Sequence, residues 1–171
     1  MKLSIYSPTH LGATVTSMCL AVTLSYEYEW VGIHTEGDDI DIYGGFCSAW
    51  GANVKVNPTE NLPVHVYDHW VKGADHYIPV VGNDYRSLRK VVGDHADYAI
   101  CVDSLNRALT ITDVQHVLGV SRDNLFVIRY SPAIQRACDA GLLTRKVSDE
   151  QGLWSTCHTL SEALINNSHT V

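Results

Sequence analysis

Short apolar runs alternate with longer segments in which apolar residues recur at helical spacing. The runs are rich in Val, Ile and Tyr, as in buried parallel strands. The strand candidates are residues 2–6, 29–34, 63–67, 76–81, 97–102 and 125–129. The helix candidates are residues 13–26, 84–92, 111–118, 132–141 and 158–166. This alternation predicts an α/β fold: a doubly wound, mostly parallel sheet in a three-layer α/β/α arrangement. The first strand and the helix after it are both strongly apolar, which predicts a central first strand.

Residues 35–62 have the weakest pattern. They contain several glycines and a proline, which interrupt regular structure. We expect a long connection with one short helix.

Two later helices have clear ends. Thr110 or Thr112 can cap the helix at 111–118, where Val114, Val117 and Leu118 form a stripe. Ser131 followed by Pro132 predicts the start of the next helix, and Gly141 predicts its end.

Length and composition indicate a folded chain. The 171 residues are 46% hydrophobic and 18% charged, which predicts one domain over residues 1–171 with a full core. No apolar run reaches membrane-spanning length, and the N-terminus lacks the pattern of a signal peptide. Five widely spaced cysteines without a CxxC pair predict buried free thiols and a cytoplasmic location.

Charge is concentrated in the first half of the chain. Residues 1–85 have three lysines against ten acids, a net charge of −7, whereas bases and acids balance in residues 86–171. An acidic half argues against a broad nucleic-acid surface. The basic candidates are Arg86, Arg89 and Lys90 on one side of a predicted helix, and Arg145 with Lys146. Such groups are more often a solvated face than a binding site.

The most informative stretch is LSIYSPTHLGATVTSMCLA, Leu3 to Ala21. It predicts a strand, a turn and a helix, which is the frame of a phosphate-binding loop. A Walker A loop reads G-x-x-x-x-G-K-[ST]. Here Gly12 and Thr14 remain, Ala13 occupies the lysine position, and Thr9 and His10 replace upstream glycines. The sequence therefore predicts either a weakened nucleotide site or the remains of one.

Ligands of such sheets bind at the carboxyl ends of the strands. The candidate segments there are Ser7–Thr14, His34–Asp41, Asp68–Trp70, Gly82–Asp84, Asp103 and Tyr130. Asp68 follows the strand VHVY, where a magnesium-binding aspartate would lie, and the alternative is an aspartate that caps a turn before Trp70. Asp38, Asp39 and Asp41 are better explained as a solvated loop.

Other chemistries have weaker support. His65, His69 and His76 surround Asp68 in sequence, but their spacing does not match a known metal site, so we do not expect one. The G-x-S-x-G motif of serine hydrolases and the GxGxxG motif of dinucleotide-binding proteins are both absent from the sequence.

The order of these motifs resembles the MinD/ParA group of deviant Walker P-loop ATPases, and most closely its CpaE and TadZ branch in pilus assembly. The phosphate loop of the family resembles THLGATV in this chain. Its second strand and acidic turn resemble WVGIHTEGDDIDIYGGF, and its strand that ends in the switch II aspartate resembles VHVYDHW. HYIPVVGNDYRSLRK and RYSPAIQRACDAGLL resemble later segments. The similarity covers about residues 2–145.

The resemblance implies a P-loop NTPase-like fold and a nucleotide site formed by Gly12, Ala13, Thr14, Val15 and Asp68. Thr14 and Asp68 would contact the magnesium of a bound nucleotide. Both signature lysines are missing: Ala13 replaces one, and the other would fall near Pro8 or Thr9. Because such cations stabilise phosphoryl transfer, we expect very slow hydrolysis or none, and either no cofactor or weakly bound ATP or ADP with magnesium.

We therefore expect a non-catalytic protein that forms a homodimer and docks an unknown protein partner during positioning, partition or pilus-like assembly. The first alternative is a weak ATP-binding switch, and the second is a DNA-binding partition protein. The expected dimer surface contains His10, Leu11 and Trp70, which would meet without nucleotide because little buried charge must be offset. The alternative to a dimer is a monomer with a decayed site.

Overall fold

A seven-stranded sheet forms the centre of the molecule. A computed structural model describes residues 1–9, 12–36, 40–105, 107–139 and 151–168. The strands are β1 Lys2–Tyr6, β2 Val31–His34, β3 Val54–Val56, β4 Val64–Tyr67, β5 His76–Gly82, β6 Ala99–Asp103 and β7 Leu125–Arg129. The helices are α1 Ala13–Leu24, α2 Ile40–Ala49, α3 Tyr85–Arg89, α4 Ile111–Leu118, α5 Pro132–Asp139 and α6 Gln151–Ser168.

All strand pairs are parallel, and the strand order is β3-β2-β4-β1-β5-β6-β7. The fourth of seven strands is β1, so the prediction of a central first strand is confirmed. Its neighbours are β4 and β5, and Ser4 is in register with Tyr67 on one side and Tyr77 on the other. The carboxyl ends of all seven strands therefore lie at one edge, which we call the loop edge because the turn after β1 lies there.

The first face of the sheet is covered by α1, α2 and α6. Alternate residues of the strands point to this face, including Leu3, Ile5 and Val66, which are fully buried. Eleven of the twelve residues of α1 are buried, because this helix lies between the sheet and α6. Phe46 of α2 stacks on Trp154 of α6 with ring centroids 6.2 Å apart.

The second face carries a smaller core. Of the described helices, α3 and α4 pack there against β5 and β6. Val81, Cys101, Leu88 and Val114 are buried together in this cluster. The two cores make a three-layer α/β/α fold, as predicted.

The short helix predicted within residues 35–62 is present, but the segment also forms an edge strand that was not predicted. This segment contains a ten-residue helix, α2, and a three-residue edge strand, β3, that pairs with β2. Glycines at 44 and 45 lower the helix propensity of α2, and β3 is too short to show an alternating pattern. The acidic group Asp38, Asp39 and Asp41 falls where the structure does not describe the side chains.

Several predicted boundaries differ from the structure. The first helix ends at Leu24, α3 ends at Arg89, and α6 begins seven residues before the predicted 158, at Gln151. Thr110 is the cap of α4, where its hydroxyl accepts a hydrogen bond from the Asp113 amide. Val117 is 42% exposed and does not belong to the buried stripe of α4. Gly141 lies outside the described residues.

Four cysteines are free and buried: Cys19, Cys47, Cys101 and Cys157. Burial raises the pKa of the Cys47 thiol to about 11 and that of Cys101 to about 12, so both remain protonated at neutral pH. None of the described helices combines the length and the apolarity that a membrane span requires.

Gly32 of β2 lies where there is no room for a side chain. A Cβ atom there would lie 2.8 Å from Pro58 Cγ and 3.0 Å from His65 Nδ1. We expect Gly32→Ala to lower the free energy of unfolding by about 1–3 kcal/mol, because the proline ring must move. Urea unfolding measures the change. Gly45→Ala is the control: nothing lies within 4 Å of its added Cβ, and alanine favours the helix. Equal losses from both substitutions would refute the steric explanation.

Candidate functional site

The turn after β1 has the backbone expected of an anion-binding loop. The chain leaves β1 at Tyr6 and enters α1 at Ala13, with Gly12 as the cap residue at φ 91°. A positive φ of this size favours glycine. The Thr16 hydroxyl donates a hydrogen bond of 2.9 Å to the Gly12 carbonyl and holds the first turn. The first amides of α1 are not used inside the helix and face the loop edge.

The predicted nucleotide residues next to Gly12 divide into two groups. Ala13 and Val15 are 9% and 6% exposed and belong to the main core. Thr14 is half-buried in the first turn of α1. The side chain at the lysine position therefore packs inward, and Thr14 is the candidate for contact with a ligand. His10 and Leu11, which we placed on the dimer surface, lie outside the described residues.

Asp68 follows β4 at the loop edge, beside β1. Its amide donates to the His34 carbonyl at 3.0 Å, and its Oδ1 lies 3.2 Å from Nδ1 of His69. The side chain is 11% exposed. The strand register thus brings the carboxylate to the edge where Thr14 lies, as the order of motifs predicts. The contact with His69 also fits the alternative in which Asp68 organises the turn.

Helix α3 holds the beginning of the loop. The hydroxyls of Thr9 and Ser87 lie 3.2 Å apart, and Lys90 Nζ donates to the Pro8 carbonyl at 2.8 Å. Ser87 is fully buried and also accepts a hydrogen bond from the Gly82 amide. These contacts could not be predicted from the sequence, because about 80 residues separate the partners. Lys90, which we grouped with a solvated basic face, is a cation beside the loop.

The ends of β5 and β6 are joined by one buried side chain. Asn83, 4% exposed, donates to Asp103 Oδ1 at 2.7 Å and accepts from the Ser104 amide at 3.1 Å. Two candidate segments, Gly82–Asp84 and Asp103, are thereby brought together. Their hydrogen bonds are used within the fold, so we interpret them as a structural brace of the loop edge.

Of the three histidines near Asp68 in sequence, His69 contacts its carboxylate, whereas His65 and His76 have other partners. His65 faces His34, with 2.8 Å between His34 Nε2 and His65 Nδ1. His76 instead contacts the ring of Tyr98, at a centroid distance of 5.5 Å. Within the described ranges, no group of three His, Cys, Asp or Glu side chains has an arrangement that could hold a metal ion.

The pair His34 and His65 is held in its neutral form. Because the Leu62 amide donates to His65 Nε2 at 3.1 Å, the proton of neutral His65 is on Nδ1 and points at His34. Burial, together with the neighbouring His65 and His69, lowers the pKa of His34 to about 4. Burial also lowers the pKa of His65.

This pair predicts a loss of stability in acid. In the unfolded chain histidine protonates near pH 6.5, so the folded state binds fewer protons below that pH. We expect the free energy of unfolding to fall by about 1–2 kcal/mol between pH 6.5 and pH 4, a value reduced because His34 is half-exposed. Urea unfolding at several pH values measures this. His34→Gln should flatten that pH dependence, and an unchanged slope would exclude the pair as its source.

The structure places Trp70 differently from our expectation. Its ring stacks on Tyr77 at a centroid distance of 6.1 Å, and Tyr77 lies near the start of β5, in register with Ser4. Trp70 therefore lies on the second face of the sheet and not at the loop edge. The reason is the link from β4 to β5, which contains no helix and turns back over β1.

Other exposed apolar side chains do lie at the loop edge. Tyr85, Leu105 and Tyr130 follow β5, β6 and β7 and are 72%, 83% and 44% exposed. We call these three residues the apolar edge. Sequence reasoning named only Tyr130 among them, because single apolar residues in loops give no periodic signal.

Known proteins share this fold. No protein-family model matches the chain, and no curated protein sequence does. Among solved structures, the MinD cell division protein of Aquifex aeolicus matches with a TM-score of 0.67 and 14% identity, over 96% of both chains. A MinC:MinD cell division protein complex of Aquifex aeolicus matches with a TM-score of 0.68 and 12% sequence identity, also over 96% of both chains. A ParA family ATPase from Chlorobium tepidum TLS matches with a TM-score of 0.59 and 12% sequence identity, over 94% of this chain and 96% of that chain.

These similarities support the resemblance to MinD and ParA proteins at the level of the fold. They cover 94–96% of the chain. The narrower resemblance to the CpaE and TadZ branch stays a prediction.

Proposed function

We propose that this chain is a MinD/ParA-like protein without hydrolytic activity, which works by self-association at the loop edge and by docking a protein partner. The observation that carries the proposal is the position of Ala13. Where a Walker lysine would reach the phosphates, this residue is 9% exposed and packs into the core. Without that cation, the charge of a phosphoryl-transfer transition state has no partner at this position.

Lys90, the cation near the loop, does not take the place of the missing Walker lysine. Lys90 is the residue that follows α3, and its ammonium group donates a hydrogen bond to the Pro8 carbonyl. It belongs to neither of the two positions that carry lysine in the family's motif. The residues present therefore fit a magnesium nucleotide poorly, and we assign no reaction step to this loop.

Self-association is supported by the apolar edge. Nucleotide between two subunits brings negative charge that must be offset, whereas Tyr85, Leu105 and Tyr130 are exposed and without formal charge at neutral pH. Apolar and aromatic side chains are typical of the centre of protein interfaces. A dimer formed here needs no nucleotide, because little charge would be buried.

The matched structures suggest the kind of role. One of them is a complex of MinD with MinC, so that MinD assembles with a protein partner. We extend this to the present chain as partner docking in positioning, partition or pilus-like assembly.

Two alternatives are supported by separate observations. Thr14 and Asp68 lie at the same edge as the free amides of α1, which favours weak binding of ATP or ADP with magnesium. Lys90 and the exposed Arg86 and Arg89 lie close to this edge, which favours contact with DNA. The acidic first half, with a net charge of −7, argues against DNA.

A phosphate-release assay tests the loss of hydrolysis. We expect the purified protein with magnesium and ATP to release phosphate no faster than the Thr14→Ala variant, because neither retains the lysine. Turnover that disappears in Thr14→Ala would show a working site and would refute the proposal.

Thermal unfolding with and without magnesium ATP distinguishes the proposal from the first alternative, weak nucleotide binding. A ligand at one hundred times its dissociation constant adds about 2.7 kcal/mol of stability, so even weak binding gives a measurable shift. We expect no shift. A shift that Thr14→Ala removes would favour the nucleotide-binding alternative.

A further inference from the structure

Aromatic side chains form a row across the second face of the sheet. His34 of β2 is in register with Tyr67 of β4, which is in register with Ser4 of β1, and Ser4 with Tyr77 of β5. The His34 and Tyr67 rings stack at 4.4 Å. Helices α3 and α4 cover β5 and β6 on this face, whereas β4 and β1 are crossed by the extended link to β5.

That link adds two more rings to the row. The Ser4 hydroxyl donates to the His69 carbonyl at 2.9 Å and accepts from the Val71 amide at 3.1 Å, which fixes the link on the sheet. His69 meets Tyr67 edge-on at 5.8 Å, and Trp70 stacks on Tyr77. Trp70 remains 55% exposed. We call His34, Tyr67, His69, Trp70 and Tyr77 the aromatic face.

Carboxylates border the aromatic face. Glu36 lies 3.4 Å from His69 Nε2 and its side chain is 78% exposed. The side chain of Asp75 is 59% exposed, lies 3.9 Å from the N-terminal ammonium and accepts a hydrogen bond of 2.7 Å from the Lys2 amide. Asp94, which accepts from the Tyr6 hydroxyl at 3.4 Å, is also exposed. The aromatic residues of the face lie in the half of the chain whose net charge is −7, and the lysines Lys2 and Lys72 of that half lie next to Asp75 and in the link, respectively. Such a surface attracts cationic groups from solution.

Another tryptophan of this protein already holds a cation. Lys55 Nζ lies 4.6 Å from the ring centroid of Trp30, a distance typical of a cation–π contact. Among the residues that the structure describes, no such cation is assigned to Trp70. The ring of Trp70 is the more exposed of the two, 55% against 37%. Trp70 is thus an exposed aromatic platform, stacked on Tyr77, with room for an external cation.

We propose that the aromatic face binds an extended basic segment of a partner protein, with an arginine guanidinium against Trp70 and Tyr77. Arginine fits better than lysine, because its planar group stacks on aromatic rings and is weakly hydrated. Glu36 and Asp94 would pair with neighbouring basic residues at the border. The apolar edge consists of other residues, which follow β5, β6 and β7, so the proposed peptide binding does not depend on the proposed self-association.

Binding of a fluorescein-labelled octa-arginine peptide to the full chain tests the proposal by anisotropy. We expect binding that weakens with salt and that falls by about threefold to thirtyfold in Trp70→Ala, the range of a cation–π contact. Trp70→Phe should recover most of the affinity. Trp30→Ala is the matched control, because its ring is already occupied by Lys55, and its affinity should stay within about twofold of the wild type.

Several outcomes would overturn this inference. The first is that the wild type does not bind octa-arginine, and the second is that Trp70→Ala binds it as tightly as the wild type does. The third is that Trp30→Ala loses as much affinity as Trp70→Ala. The fourth is that octa-glutamate or duplex DNA binds as tightly as octa-arginine. Leu105→Glu, which changes the apolar edge, should bind the peptide like the wild type. Failure of this test and failure of self-association can therefore be told apart.

Discussion

Leu105→Glu is expected to weaken self-association strongly. Leu105 is 83% exposed between the other residues of the apolar edge, and a carboxylate buried there without a partner would carry a large desolvation cost. We expect the dimer to weaken by about thirtyfold or more, the loss typical of a central interface residue. Sedimentation velocity at several concentrations, without nucleotide, measures the change.

Tyr26→Glu is the matched control for this substitution. Tyr26 is 68% exposed and lies just beyond the carboxyl end of α1, about 18 Å from the loop edge at 1.5 Å per helical residue. It adds the same charge to an exposed apolar site, so it should leave the dimer intact. A wild-type dimer that survives Leu105→Glu, or that Tyr26→Glu disrupts equally, would place the interface elsewhere.

Leu160→Ala is expected to have the largest effect on stability. Leu160 of α6 is fully buried among residues of the main core. Removing its branched end leaves a cavity between α6 and α1, and such substitutions lower the free energy of unfolding by about 2–5 kcal/mol. Urea unfolding followed by circular dichroism measures the loss.

The control for Leu160→Ala lies two residues further along the same helix. The side chain of Glu162 is 63% exposed, so Glu162→Ala should change the free energy of unfolding by less than about 0.5 kcal/mol. A small effect at Leu160 would show that α6 is not part of the core.

The fold could be predicted because its strongest signals are local. Val, Ile and Tyr in short runs predicted six of the seven strands, and the apolar character of both β1 and α1 predicted the central position of β1. The exception, β3, has three residues at the edge of the sheet, too few to form a pattern. Helix α2 was predicted as one short helix without bounds, because adjacent glycines weaken the helical signal.

The site could be predicted only in part, because its contacts join residues that are far apart in sequence. The order of motifs placed Gly12, Thr14 and Asp68 at one edge of the sheet. It could not place Lys90 against Pro8, which is 82 residues away. It also put Trp70 at the loop edge, because the usual connection after a parallel strand is a helix, whereas here an extended link carries Trp70 back over β1.

The most direct test of the central claim is sedimentation velocity of the wild type over a range of concentrations, without nucleotide and then with magnesium ATP. The claim is that this MinD/ParA-like fold associates at the loop edge without a nucleotide. We predict a dimer that forms with rising protein concentration and whose dissociation constant is the same in both conditions. A protein that stays monomeric throughout, or that dimerises only with magnesium ATP, would contradict the account.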